Sequence, residues 1–278
     1  MTQSPEPILI RSCQGRDEFE ACVQLQIDTW GYDAADLIPN RSFMLTQKIG
    51  GQVIGAFDTS LSGAPDEGDA ASLVGYVQAI PAIKPKDESA GRDRYYLHSH
   101  MLAVRSTYRN LGLGARLKLF QRREALSRSI RRMEWTFDPL EIKNAFLNIH
   151  KLGAIIRRYY PDFYGVSSSR LQGGLPTDRL VAEWYLDSPR VTAIAEGRAD
   201  AEYGIVECIT VPASIYQWKA SDSERERALA VQLEIRGSFQ QAFEHGLAVA
   251  GFIRDAEGNG TYQLAPYSAM VKNIDSVS

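Results

Sequence analysis

The chain has 278 residues and a formal net charge of −3 at pH 7, with 44% hydrophobic and 23% charged residues. These values are typical of a globular protein that forms one large domain or two ordinary ones. The nearly balanced charge gives no reason to expect nucleic acid as a partner. No apolar stretch is long enough to cross a bilayer, so no membrane partner is expected.

Three cysteines, Cys13, Cys22 and Cys208, are widely spaced and odd in number. Their spacing matches no metal-ligand pattern, so reduced thiols and no metal site are expected. The first seven residues lack the basic region and the apolar stretch of a signal peptide. We therefore expect a cytoplasmic protein.

The first part of the chain alternates strand and helix patterns. Residues 8–11 form a candidate strand, and residues 17–30 carry apolar side chains at helical spacing, with Asp17 as the candidate cap. Two strand-like runs, 52–57 and 73–80, flank a turn-rich loop and predict a hairpin. A polar, proline-containing linker is expected at 81–92.

Further strands and helices follow the linker. A strand at 95–104 is followed by a helix that begins after Gly112 and runs to about residue 129. The next strand is expected at 133–137, and a helix at 140–152 ends at Gly153, a candidate left-handed cap. Strands at 154–160 and 180–186 complete a mixed α/β arrangement.

A change in composition near Ser188 predicts a domain boundary, with domains at 1–188 and 189–278. The second domain is expected to be a small α+β unit. Its predicted elements are a strand at 204–211, a helix at 221–245 and a hairpin formed by 248–254 and 261–264.

The most informative motif joins the strand that ends at Val104 to the following helix, through Arg109-x-x-Gly112-x-Gly114. Glycines at a helix start let backbone N–H groups close on an anion, and the helix end adds free donors and a positive dipole. A P-loop and a dinucleotide-binding fingerprint are both absent. The alternative is that the two glycines only relieve crowding at the helix start.

The local charge favours an anionic ligand. From Arg105 to Arg132 the chain has nine Lys or Arg residues and a single acid, Glu124. Such a run suits a ligand with several phosphates, although part of it is expected to be a solvated helix face.

The strand, the Arg-x-x-Gly-x-Gly loop and the helix together resemble the coenzyme A diphosphate loop of the GNAT acyltransferase superfamily. The resemblance covers roughly residues 8–187. It implies a central, mostly antiparallel mixed sheet flanked by helices, and acetyl-CoA or another acyl-CoA as co-substrate. It also implies that the backbone of Leu102, Ala103 and Val104 pairs with pantetheine. The residues expected to hold the diphosphate are Arg109, Asn110, Leu111, Gly112, Leu113, Gly114 and Ala115.

His98 and His100 are candidate catalytic residues. They are two apart on a strand, so both imidazoles are expected on one face, and an imidazole titrates near neutral pH. The pattern His-x-His-x-Leu-Ala-Val resembles the arylalkylamine N-acetyltransferases, which implies a role in removing the proton of a substrate ammonium. The alternative is a packing role, and a zinc site is disfavoured because no third ligand has suitable spacing.

A second segment, Asn144 to Gly153, resembles the superfamily's asparagine-bearing helix, which ends in Lys-Leu-Gly. Asn144 and Asn148 are one turn apart, so their amides are expected to share a face and meet pantetheine, and Lys151 matches the motif. Ile149 departs from it, because many relatives have a tyrosine there that protonates the thiolate. The general acid is therefore unassigned, and Tyr159, Tyr160 and Tyr164 are substitutes or packing residues.

Two further residues are candidates for binding the acceptor. Asp138 is a base, an amine anchor or, as its place before Pro139 favours, a cap. Arg179 either holds an acceptor carboxylate or bonds Asp178 and fixes its own loop.

These observations predict an acyl-CoA-dependent N-acyltransferase, most simply an N-acetyltransferase, acting on a small-molecule amine or amino acid by direct attack. The alternatives are a non-catalytic acyl-CoA sensor, an N-succinyltransferase and a protein acetyltransferase. Residues 189–278 are candidates for covering the acceptor pocket, forming a homodimer or completing a second GNAT-like half.

Overall fold

The computed structural model describes residues 8–63, 67–84, 94–169, 171–198 and 200–271. Of the linker predicted at 81–92, residues 85–92 lie outside these ranges, and residues 81–83 belong to a strand that extends to Ile83, so the linker starts later than predicted. The chain divides into two compact units, Met1–Ile130 and Arg131–Ser278. In each unit helices accompany an antiparallel sheet, which confirms the predicted mixed α/β class.

Among its described residues, the first unit contains four strands in the order β1-β2-β3-β4, and each pairs antiparallel with its neighbour. The strands are β1 Ile8–Ser12, β2 Gln52–Asp58, β3 Leu73–Ile83 and β4 Tyr95–Val104. The helices are α1 Gly15–Trp30, α2 Asn40–Lys48 and α3 Leu113–Ser127. The predicted hairpin of β2 and β3 and the predicted bounds of β4 are confirmed.

Two hydrophobic clusters lie on opposite faces of this sheet. In one cluster Phe19 of α1 and Phe43 of α2 pack with Tyr76 of β3. In the other, Leu113 and Leu117 of α3 pack with residues of β2 and β3. The α1/α2 face and the α3 face of the sheet are therefore distinct.

The start of α1 differs from the prediction. The helix begins at Gly15, so Asp17 lies within the first turn and is not the cap. The cap residue, Gln14, donates its backbone N–H to Glu18 Oε2 at 2.7 Å instead. Glu18 also accepts two hydrogen bonds from Arg11, and this pairing holds the Glu18 carboxylate, and not that of Asp17, at the N-terminus of the helix.

The part of the second unit that the structure describes contains six strands in the order β5-β7-β6-β9-β10-β8. They are β5 Arg132–Phe137, β6 Ile155–Tyr160, β7 Arg179–Tyr185, β8 Glu207–Val211, β9 Leu247–Arg254 and β10 Gly260–Pro266. Helix α4 Ile142–Ala145 continues as a π-helical turn, Phe146–Lys151. The remaining helices are α5 Pro189–Ala195, α6 Ile215–Ala220, α7 Arg225–Glu244 and α8 Tyr267–Met270.

The predicted boundary near Ser188 lies inside this second unit. Ser188 is the N-cap of α5, and its side chain accepts a bond from the N–H of Val191. Farther along, β9 pairs with β6 at Val249 and Ile156, so residues beyond 188 extend the same sheet. The division at 188 stays a prediction.

Two further sequence expectations concern thiols and membranes. Cys13 and Cys22 are buried and Cys208 is exposed, and all three are free. Within the described ranges, no helix combines the length and the apolar character that spanning a bilayer requires.

The cap of α5 supplies a stability prediction. Ser188→Ala removes a buried cap, so we expect the free energy of unfolding to fall by about 1 kcal/mol. Ser238→Ala is the control, because Ser238 lies within α7, where alanine is the better helix former. Urea unfolding of both variants measures the difference. Equal stability of the two variants would contradict the assigned cap.

Candidate functional site

The connection between β4 and α3 has left-handed backbone at two positions. After Val104 the chain makes a 3-10 turn at Ser106–Tyr108. Asn110 then adopts φ 64° and Gly112 φ 77°. Gly112 is the N-cap of α3, and a Cβ built on it would meet no atom within 4 Å. Backbone conformation, and not crowding, therefore favours glycine here.

The start of α3 offers backbone donors. Arg116 donates its N–H to Gly112 O at 3.1 Å, which closes the first helical turn. The N–H groups of Leu113, Gly114 and Ala115 precede this bond and have no carbonyl of the helix to pair with. Helix α3 also has no side-chain cap at this end. These N–H donors and the positive end of the helix dipole can bind an anion.

Three bonds anchor the chain around this connection. Arg105 donates its N–H to Val74 O at 2.9 Å, and Arg109 Nε donates to Val104 O at 3.1 Å. The Tyr108 hydroxyl donates to Asp58 Oδ2 at 2.5 Å. The connection is therefore bound to β2 and β3 on both sides of the turn.

The basic run after Arg105 is only partly available to a ligand. Arg116 donates to Ile8 O, and Arg128 bonds Gly50 O and Glu124. Lys118 is only 2% exposed, and burial lowers the pKa of its amine well below the usual value. Lys118 therefore lies neither on a ligand-facing surface nor on the solvated helix face that the sequence predicted for part of this run.

A β-bulge places the two histidines. Gln78 of β3 pairs with Met101, but the next residue, Ala79, pairs with Ser99, so His100 is the extra residue of β4. The imidazole centroids of His98 and His100 lie 6.0 Å apart. The predicted pair therefore lies together, but through a bulge and not through regular alternation.

The two histidines differ in their surroundings. His98 is half-buried, whereas His100 keeps access to solvent. Desolvation by the surrounding protein lowers the pKa of His100 below the usual value of an imidazole. A lowered pKa means that His100 is neutral, and able to accept a proton, at pH 7.

Leu102, Ala103 and Val104 use their side chains for packing. Leu102 and Val104 contact the cluster on the α3 face, and Ala103 belongs to the cluster on the α1/α2 face. Only their backbone is left for the pantetheine contact that the resemblance implies, and that contact stays a prediction.

The asparagine segment lies in the second unit and differs from the expected regular helix. Asn144 is exposed and Asn148 is buried, so the two amides do not share an exposed face. The segment also departs from a regular α-helix, because a π-helical turn with i→i+5 bonding begins at Phe146. Lys151 is exposed, with its amine 5.5 Å from the Phe146 ring centroid. Gly153 has the expected left-handed conformation, at φ 75°.

The positions considered for the general acid are the usual tyrosine position and three later tyrosines, and each of these residues is buried or has a partner in the protein. Ile149 is fully buried. Tyr159 bonds Asp178 Oδ2 at 2.5 Å, and burial together with this bond raises the pKa of its phenol, which opposes proton transfer at neutral pH. Tyr160 stacks on Phe163, and the Tyr164 hydroxyl lies 2.9 Å from Thr136 Oγ1.

The two candidate acceptor residues both have partners in the protein. Asp138 Oδ1 accepts the N–H of Leu140 at 2.8 Å in the turn before α4, and Oδ2 accepts from Lys219 Nζ at 2.9 Å. Arg179 donates to the Asp178 carbonyl at 2.7 Å and lies over the Tyr164 ring. Because α4 begins at Ile142 with Glu141 as its N-cap, the predicted cap role of Asp138 is wrong, whereas the contacts of Arg179 favour its loop-fixing alternative. Sequence reasoning missed Lys219, which is 81 residues from Asp138.

Metal chemistry was not expected from the sequence. Over the part of the chain that the structure describes, no group of three or more His, Cys, Asp or Glu side chains is placed to hold a metal ion.

No protein-family model matches the chain, and no curated protein matches it. Its structure is similar to solved acetyltransferases. NAA60 of Arabidopsis thaliana in complex with acetyl-CoA matches with a TM-score of 0.49 at 17% identity, over 64% of this chain and 99% of that one. An acetyltransferase of the GNAT family from Streptococcus pneumoniae gives 0.46 at 16% identity, over 63% and 98%. Aminoglycoside 6'-acetyltransferase type Ii gives 0.45 at 18% identity, over 64% and 97%.

The lowered pKa of His100 gives a direct prediction. In an NMR titration the His100 ring should change charge below the ordinary midpoint of about pH 6.5. Because the unfolded chain binds this proton more tightly, the group should destabilise the fold as the pH falls below about 6.5. His100→Gln should remove that contribution in urea unfolding at low pH. A His100 midpoint above 6.5 would contradict the assigned environment.

Proposed function

We propose that this protein is an acyl-CoA-dependent N-acyltransferase that transfers an acyl group, most simply acetyl, to the amine of a small molecule or amino acid. The observation that carries the proposal is the connection from β4 to α3. A strand with two adjacent imidazoles leads, through left-handed residues Asn110 and Gly112, to three backbone donors at a helix start.

The residues present fit a CoA diphosphate. The N–H groups of Leu113, Gly114 and Ala115 would hold it, and the space beside Gly112 would admit it. Arg109, Asn110 and Leu111 shape the approach. Asn144, Asn148 and Lys151 remain proposed pantetheine contacts on the sequence resemblance. When bound, acyl-CoA would supply the acyl group as an activated thioester.

The protein's own part is to hold reactants and move protons. His100, neutral at pH 7, would accept the proton of the acceptor's ammonium directly or through water, with His98 beside it. The resulting neutral amine attacks directly. Because a thiol's pKa is not far above neutral, the thiolate can leave without a side-chain acid.

A non-catalytic acyl-CoA sensor is the second candidate. It is favoured by the fully buried Ile149 where a tyrosine is usual, since no hydroxyl is available there. Tight CoA binding with no thiol release from acetyl- or succinyl-CoA, across a panel of amines, amino acids and peptides, would select the sensor. The same panel separates N-acetyl- from N-succinyltransfer, and small acceptors from protein acceptors.

Several expectations stay part of the proposal. They are a cytoplasmic location, the absence of nucleic-acid and membrane partners, and a homodimer. Residues 189–278 keep their three candidate roles of covering the acceptor pocket, dimerising or mimicking a second half.

The backbone donors can be tested one at a time. Gly114 lies in the first turn of α3, so Gly114→Pro removes its N–H without breaking a helical bond, whereas Gly114→Ala retains it. We expect calorimetry to show CoA affinity reduced about tenfold or more by Gly114→Pro, the loss of one charge-assisted bond. Gly114→Ala should bind nearly as the parent does. Equal affinity of both variants would exclude the proposed cradle, provided circular dichroism shows that both fold.

The base is tested kinetically. His98→Ala combined with His100→Ala should lower kcat by about a hundredfold and remove the acidic limb of the pH profile of kcat/KM. The control is His245→Ala, an exposed histidine at the end of α7. Unchanged turnover and pH profile in the double variant would refute the assignment.

A further inference from the structure

A buried polar network lies directly behind the bulge of β4. Lys118 Nζ of α3 donates to Ser99 Oγ at 2.6 Å, and Ser99 Oγ donates to Gln121 Oε1 at 3.2 Å. All three residues are nearly inaccessible, at 2%, 5% and 0% exposure. Burying an amine costs free energy unless hydrogen bonds compensate, so the hydrogen bond to Ser99 offsets part of the cost of burying Lys118.

The network is compatible with only one register of β4. Leu102 and Val104 contact the cluster on the α3 face, and Met101 contacts the cluster on the α1/α2 face. Regular alternation would therefore turn Ser99 towards the α1/α2 face, away from Lys118. Because His100 is an extra residue, the alternation reverses there and Ser99 reaches α3.

Without the bulge, the side chains of β4 that precede His100 would point to the opposite faces of the sheet. Ser99 would then enter the cluster that holds Phe19 and Phe43, and Lys118 would lose this acceptor. A one-residue change of register moves the side chains beyond the change to the other face of the sheet. The hydrogen bond between Lys118 and Ser99 therefore stabilises the bulged register relative to the regular one.

We propose that Lys118 and Ser99 are positioning residues for acyl transfer: their buried bond fixes the bulge that presents His100 beside His98. The inference rests on the proposed function for its catalytic meaning. Its structural content, the coupling of Ser99 to His100, does not depend on it.

Ser99→Ala is the primary test, with Ser99→Thr as the rescue. Ser72→Ala is the matched control, since Ser72 is also a fully buried serine of the first unit but bonds Asp69. We expect Ser99→Ala to lower kcat about tenfold, as small displacements of reacting groups do, with the KM for acyl-CoA nearly unchanged. Ser99→Thr should restore kcat, and Ser72→Ala should leave it intact. Equal kcat in Ser99→Ala and Ser72→Ala would overturn the proposal.

A second readout needs no activity. In Ser99→Ala the loosened bulge should expose His100 more fully, so the midpoint of its NMR titration should rise towards about 6.5, while Ser72→Ala leaves it in place. If Ser99→Ala does not fold, Lys118→Met replaces the amine with an apolar side chain of similar length and should raise the midpoint too. A His100 midpoint unmoved in the folded variants refutes the coupling, whereas a moved midpoint in a protein without acyl transfer refutes only the proposed function.

Discussion

The extra residue His100 determines which side chains β4 presents on each face of the sheet. The register shift at His100 places the side chains before it on faces opposite to those that regular pairing would give. Ser99 thereby reaches Lys118, and His98 and His100 lie 6.0 Å apart instead of following the strand's alternation. A bulge usually re-aims a side chain at a functional position, and here the re-aimed side chain is the one whose lowered pKa suits a base.

The same strand leads to the second functional element. Beyond the bulge, β4 stays paired with β3 as far as Val104, and the chain then turns through left-handed residues to the start of α3. Helix α3 thus offers backbone donors at its first turn and the Lys118 amine one turn later. A single strand–helix connection therefore links the diphosphate cradle to the histidines in the proposed enzyme.

The elements with strong local patterns could be predicted from sequence. The bounds of β4, the β2–β3 hairpin and the left-handed Gly153 follow from apolar runs and turn residues. Helix α2 was missed because its apolar residues are adjacent and not periodic: Phe43 is buried, while Met44 and Leu45 are exposed.

The features that could not be predicted depend on contacts distant in sequence. The bulge needs Ser99 to meet Lys118, 19 residues later, and Asp138 is satisfied by Lys219. A count of basic residues cannot distinguish a buried lysine from one that faces a ligand. The π-helical turn at Phe146 and the burial of Asn148 were likewise not evident from the spacing of Asn144 and Asn148.

The central claim is that the first backbone N–H groups of α3 bind the CoA diphosphate. It is tested most directly by following amide NMR signals while CoA is added to the intact protein. The account predicts that the amides of Leu113, Gly114 and Ala115 show the largest downfield proton shifts and saturate together. Saturable binding that leaves these three amides unshifted, or no binding at all, would contradict it.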